Sequence, residues 1–167
     1  MTNEFKPNLT PYQIFKNGSF GGTYWRPIYS RITKKKYKNI HKQYKFLQGI
    51  DEKYLSQSKC DHTINKYKVN SGSSLEEWEN KNWITENHPY GWVHWYCDYY
   101  SGKRSEDDEY QINRWLNIAG PNGRWRKRLI NTIKKNNKKW NDKSVSPKIR
   151  QLLQHWGYVL TEKDFNY

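Results

Sequence analysis

From Arg124 to Lys139 the chain reads RWRKRLINTIKKNNKK, with eight Lys or Arg in sixteen residues and no acid. Its apolar residues, Trp125, Leu129, Ile130 and Ile133, recur at helical spacing. Such a stretch fits one kind of structure: a helix that buries a single stripe and turns an almost wholly basic circumference to water. A helix of this kind can help to build a domain and still offer a dense positive surface to a polyanion. It also needs neighbours that cover the stripe.

The flanking sequence provides them. Ser105-Glu106-Asp107-Asp108 has the form of a capping box, with acids where the helix macrodipole favours them. Ile112, Trp115, Leu116 and Ala119 then make a buried stripe, stopped by Gly120-Pro121. After the basic stretch, Asn136 to Asp142 is a polar connection. Ser146-Pro147 caps a further helix, with Ile149, Leu152, Leu153 and Trp156 on one face and Gly157 as its stop. Upstream, YGWVHWYCDYYSG places Trp92, Trp95, Tyr96 and Tyr99 at i, i+3, i+4 and i+7, ended by Gly102. A strand is the alternative there, because aromatic residues favour sheets, but length and flanks favour a helix. Ser74-Leu75-Glu76-Glu77 is another capping box, opening a short helix through Trp78, and a turn follows near Asn87–Pro89. The predicted helices lie near 75–81, 90–101, 106–119, 124–136 and 147–156, within a helical core spanning 74–161.

The N-terminal part is less regular. Thr10 and Pro11 read as an N-cap and first helical residue, and Gly18 stops that short helix. GSFGGTYWRPIYSRIT reads as a turn with irregular or extended segments. Its GSFGG lacks the GK[ST] ending and the strand-loop-helix setting of a phosphate loop. KKKYKNIHKQYK, from Lys34 to Lys45, is a second basic run: a solvated loop, a nuclear-import-like patch or a nucleic-acid contact. Residues 48–72 read as a loop with short structure.

At 167 residues the chain suits one domain, 1–167, whose basic aromatic-rich segment 1–47 leads into the helical core. Hydrophobic residues make up only 34%, too few for an aliphatic core. Nine Trp, fourteen Tyr and five Phe replace it, since each large ring buries roughly 150–250 Å². The expected fold is mainly α: a single compact aromatic-rich domain, its irregular N-terminal third packed on a C-terminal helical bundle.

The net charge is +14. Residues 1–50 carry ten basic residues against one acidic, residues 51–100 five against eight, and residues 101–167 fifteen against seven. Positive charge at both ends of the chain suggests a directional basic surface. Codon bias competes as an explanation, because Lys, Asn, Ile and Tyr all have AT-rich codons, but it accounts less well for the Arg residues. The two cysteines form no CxxC pair and no metal-ligand spacing with the five histidines, so no metal or cofactor is expected. Cys97, among aromatics, reads as a buried thiol. The polar opening MTNEFKPNLT is no signal peptide, and no run of eighteen apolar residues exists. The expectation is an intracellular, reduced protein with no membrane partner.

The segments PYGWVHWYCDYYSGKRSEDDEYQINRW, GRWRKRLIN and SPKIRQLLQHWGYVLT, with GSFGGTYWRPIYS and GSSLEEWENKNWI, resemble a family of uncharacterised proteins of fungi, algae, plants and large DNA viruses. The resemblance covers most of residues 10–161 and implies no activity, fold or catalytic residue. The family pattern has Gln near His94 and Arg near Asp98, which makes His94 a poor candidate for shared catalysis. The Lys/Asn-rich wording fits an AT-rich genome.

Four groups of residues could carry chemistry. Glu106, Asp107, Asp108 and Glu109 could bind Mg²⁺ or do acid–base work, yet adjacent acids on a helix point in different directions. His155 could be a general base, but a helix-boundary histidine packing on Trp156 is the commoner case. Exposed rings could stack on unpaired bases, with Arg adding cation–π contact. The fourth group is basic: Arg114, Arg124, Arg126, Lys127, Arg128, Lys134, Lys135, Lys138, Lys148 and Arg150. Arg114 lies off the apolar stripe of its helix. Arg124, Lys127, Arg128, Lys134 and Lys135 should be exposed, and the helix opened by Lys148 and Arg150 could also hold a phosphate at its amides. Helix, tight Gly-Pro-Asn-Gly turn and helix are compatible with a helix-turn-helix-like module.

The function expected is non-enzymatic nucleic-acid binding, with DNA favoured over RNA, through phosphate contacts. The alternatives are a nucleic-acid-processing enzyme, such as a nuclease or base-modifying protein, and a packaging or protein-interaction component, for example of a large DNA virus, with an acidic protein partner.

Overall fold

The computed structural model describes residues 4–71 and 73–167. Among these residues seven α-helices follow one another: α1 Pro11–Lys16, α2 Leu75–Asn80, α3 Trp92–Tyr100, α4 Asp108–Ala119, α5 Arg124–Lys135, α6 Pro147–His155 and α7 Glu162–Asn166. The fold is thus mostly helical. A two-residue antiparallel hairpin, β1 Ile28–Tyr29 with β2 Lys36–Tyr37, pairs Ile28 with Tyr37 and Tyr29 with Lys36. Short 3₁₀ turns carry the chain through residues 19–64.

Local chemistry sets the boundaries. Thr10 caps α1 by a full capping box with Gln13. Ser74 accepts the amide of Glu77 to open α2. At the start of α4 the expectation needs correction. Asp108 does bond back to the amide and hydroxyl of Ser105, but the Ser105 hydroxyl takes the Asp107 amide, and the helix begins at Asp108 rather than 106. At α6, Ser146 is the residue before Pro147 but sits left-handed at φ 51 and makes no side-chain cap. The seventh helix lies beyond the expected ones. Thr161 accepts the amide of Asp164 there, a capping signal present in the sequence.

The GSFGG segment is a turn, as its residues suggested, and the reason for its glycines is packing. Gly22 has φ +83, and a Cβ there would lie 2.0 Å from the Lys53 carbonyl oxygen. Only glycine lets the two backbones approach so closely. Phe20 within the same turn is also left-handed, at φ 64, an uncommon conformation for a residue with a side chain.

Helix α3 sits at the centre. Residues Trp92 to Cys97 are all buried, so neighbours surround more than the expected single stripe. Phe5 packs among Trp92, Trp95, Tyr96, Tyr99 and Trp115, with ring centroids 5.3–6.1 Å away. The segment before α1 is tied to the C-terminal part: Asn8 makes two bonds to the Val159 backbone and the Leu9 amide donates to the Gly157 carbonyl. Most polar tips in this core of rings find partners, although Trp25 Nε1 is buried without one among the described residues. The indole nitrogens of Trp92, Trp95 and Trp115 donate to the Gln111 carbonyl, Asp108 and the Trp156 carbonyl at 2.8–3.1 Å. The hydroxyls of Tyr90, Tyr96 and Tyr158 donate to the Arg26 and Leu9 carbonyls and to Asp164. No helix among the described residues is long and apolar enough to cross a membrane.

Candidate functional site

Helix α5 buries Arg126, Leu129 and Ile133 and leaves the rest of its surface half-buried or open. Arg124, Lys127, Arg128 and Lys135 are exposed and fall on one face, where with Asn131 and Thr132 they line a shallow groove of about 350 Å³. Among the described residues, no carboxylate forms an ion pair with any of these four. Lys134 is exposed on another side, with its ammonium 5.3 Å from the Phe165 ring. Lys138 is exposed beyond the helix end.

Two members of the expected basic surface are not on it. Arg126 is buried: its Nε donates to the Ala119 carbonyl at 2.9 Å, its guanidinium lies 4.2 Å from the Tyr158 ring, and Nη1 stands 3.5 Å from Asp164. Arg150 is buried and donates to the carbonyls of Val145 and Trp140. Both satisfy main-chain oxygens that a turn leaves open. Pro147 also deprives the α6 N-terminus of one amide donor for a phosphate.

Arg114 and Lys148 belong to a different feature. A cleft of about 620 Å³ opens between α2, α4, α5 and α6, walled by Trp78, Trp83, Trp125 and Trp156. Gly91 lies on its floor, where a Cβ would come within 3.2 Å of the Ile84 side chain and 3.5 Å of the Trp78 ring. Lys148 is exposed on the rim. Arg114 is half-buried, with Nη1 donating to the Trp83 carbonyl at 3.3 Å and to Gln111 Oε1 at 3.1 Å, and its guanidinium 5.1–5.5 Å from the rings of Trp156, Trp83 and Tyr110. An adjoining lobe of about 680 Å³ shares Phe20, Trp78, Lys148 and His155 with it and runs on past Thr23 and Cys60.

His155 lies where the lobes meet. Burial pushes its pKa down to about 3, so the ring is neutral. Nε2 accepts from the Phe20 amide at 3.3 Å and faces the Gln151 amide group at 2.9 Å, which places the proton on Nδ1. The ring stacks on Phe20 at 4.0 Å. A basic nitrogen already occupied and so weakly basic does not suit proton abstraction at neutral pH. His94 is likewise buried among rings, with its pKa lowered to about 3 by burial and then by its neighbour His88.

The acidic cluster is divided rather than convergent. Asp108 holds Ser105 and the Trp95 indole. Asp107 accepts from Thr85 and Asn87 and stands 3.2 Å from His88 Nδ1, while Asp98 stands 3.1 Å from His88 Nε2. Burial alone would raise the Asp98 carboxyl, but hydrogen bonds from His88 and Tyr44 outweigh it and hold the group at about 2. In this Asp–His–Asp chain the imidazole separates the carboxylates, so they share no point of coordination. It ties the start of α4 to the end of α3. Among the described residues no group of three or more His, Cys, Asp or Glu is placed to hold a metal ion. Cys97 is buried with its thiol pushed well above its usual range by burial, so it is no thiolate nucleophile.

Neither the cleft nor the Asp–His–Asp chain is apparent from spacing alone. Trp125 and Trp156 fall on apolar stripes and so read as core, yet both are only half-buried and wall the cleft. Comparison with protein-family models, with curated proteins and with solved structures gives no match in any of the three.

Proposed function

We propose that the chain binds nucleic acid, DNA in the first instance, through the outer face of α5, where Arg and Lys neutralise phosphates. The observation that carries this reading is the exposed set Arg124, Lys127, Arg128 and Lys135, gathered on one face with no carboxylate partner among the described residues. Four like charges on one helix face repel one another, and i, i+4 like-charge pairs cost roughly 0.2–0.5 kcal/mol each. A polyanion relieves that repulsion and releases its own counterions. Asn131 and Thr132 add neutral donors to the same groove.

Charge reversal tests the assignment. Lys127→Glu with Arg128→Glu is expected to weaken binding of a labelled duplex or single strand at least tenfold. Lys34→Glu, Lys35→Glu and Lys36→Glu together, in the exposed basic run before and within β2, are expected to do less. Equal losses from both variants would show attraction by overall charge and remove the role given to α5.

A further inference from the structure

We infer that the aromatic cleft receives an unpaired base of a single-stranded nucleic acid, with its ring against the indoles and its backbone charge on Arg114 and Lys148. This rests on the nucleic-acid reading of α5 and deepens it, because the two features meet. The Trp125 ring walls the cleft, and the guanidinium groups of Arg124 and Arg128 lie 5.2 and 5.5 Å from that ring. A strand whose phosphates follow the basic face therefore reaches the cleft mouth at Trp125.

The chemistry of the walls selects the occupant. Four indoles offer stacking surface to any base, and a volume of about 620 Å³ lies in the range of ligand sites, roughly 300–1,000 Å³. Among the described residues no Asp or Glu lines the cleft, while Arg114 and Lys148 both do. Arg114 is the more telling of the two. It is half-buried among rings, and among the described residues no carboxylate pairs with it; its donors reach only a carbonyl and an amide oxygen. A cation held out of water without a counter-ion is costly, and an arriving anion offsets that cost. A purely apolar ligand would leave it uncompensated.

His155 adds a directed donor. With Nε2 committed to the Phe20 amide and Gln151, its Nδ1–H has no partner among the described residues and suits a base carbonyl or ring nitrogen. The Phe20 ring on which it stacks belongs to a residue held left-handed, the kind of backbone conformation that clusters at binding sites. The base must be unpaired, because in a duplex both faces are already covered by neighbouring bases.

The test uses the full chain and two probes of equal charge: a labelled ten-nucleotide oligothymidine, and a decamer of abasic deoxyribose phosphates. Stacking of one base is worth about 1–3 kcal/mol, so the wild type is expected to bind the oligothymidine roughly tenfold or more tightly than the abasic strand. Trp83→Leu should shrink that ratio toward one and Trp83→Tyr should keep most of it, whereas Arg114→Gln, which removes a contact to the backbone charge, should weaken both probes. Arg124, Lys127 and Arg128 changed together to Ala should weaken both probes alike and leave the ratio intact. Equal wild-type affinity for the two probes overturns this inference and leaves the α5 reading standing. Binding of neither probe overturns this inference, and the α5 reading falls with it when a ten-base-pair duplex also fails to bind. Displacement by thymidine monophosphate, or by an acidic tyrosine-containing peptide, at the concentration where the oligothymidine acts would make the cleft a small-molecule or protein site and overturn the base-binding role.

Discussion

Two imidazoles enclosed among rings make the protein's stability depend on pH in a defined window. His94 and His155 both have pKa values lowered from 6.5 to about 3, in each case first by burial. The folded state therefore keeps both neutral down to about pH 3, while the unfolded chain takes up protons from pH 6.5 downward. Stability contributed by this difference is complete above pH 6.5 and is lost as pH falls toward 3. Each unit below 6.5 costs about 1.4 kcal/mol per histidine, so going from pH 7 to pH 5 removes about 2 kcal/mol for each and about 4 for both. Against a net stability of about 5–15 kcal/mol for a domain, that is a large fraction. The lowered pKa of Asp98 acts elsewhere: its contribution is present above the ordinary 3.8 and is lost only as pH falls toward 2. Urea unfolding followed by tryptophan fluorescence at pH 7, 6 and 5 measures the effect. His94→Gln and His155→Gln should each remove about half of the difference between pH 7 and pH 5, whatever they do to stability at pH 7. A double variant that loses as much stability as the wild type between those pH values would refute the reasoning.

Other consequences follow from the placement of individual residues. Arg126→Ala should destabilise by about 2–3 kcal/mol, because it strands the Ala119 carbonyl and removes packing on Tyr158, while Lys127→Ala should stay within about 0.5 kcal/mol of wild type; chemical denaturation separates the two. Gly22→Ala should cost more than about 1 kcal/mol, read as a lowered melting temperature, since the added methyl meets the Lys53 carbonyl in a backbone conformation that disfavours side chains. Thr161→Ala should cost about 1 kcal/mol, because the hydroxyl caps α7 and α7 carries the Asp164 that Tyr158 and Arg126 face.

Much of the fold is legible in the chain because its helix signals are local. Thr10 caps α1 ahead of Pro11 as the chain suggests, and Ser74 caps α2 by accepting the Glu77 amide, although the Glu77 carboxylate meets the Ser74 hydroxyl rather than its amide. The exposed set Arg124, Lys127, Arg128, Lys134 and Lys135 follows from helical period alone. What period cannot give is which residues of a helix face another element across a turn. Arg126 and Arg150 look like surface charge in sequence, but each lies beside a chain reversal whose carbonyls need donors. The short aliphatic supply assigns most rings to the core, and period does not show that Trp83, Trp125 and Trp156 are half-buried around a cleft lined by α2 to α6 and several loops. Asp107 reads as a first-turn acid, and its partner His88 stands nineteen residues upstream in an irregular segment with no periodicity to announce it.

The central claim is that α5's outer face binds phosphates, and its salt dependence tests that most directly. Affinity for labelled single- and double-stranded DNA and RNA is measured by fluorescence anisotropy from low to physiological salt, for the wild type and for Arg124, Lys127, Arg128 and Lys135 all changed to Gln. Four phosphate contacts correspond to a log–log slope of roughly −3.6 on duplex DNA or roughly −2.8 on a single strand. The expected result is a wild-type slope at least that steep, reduced by about 3 in the variant. An identical slope in both proteins, or no binding by the wild type even at the lowest salt, would contradict it.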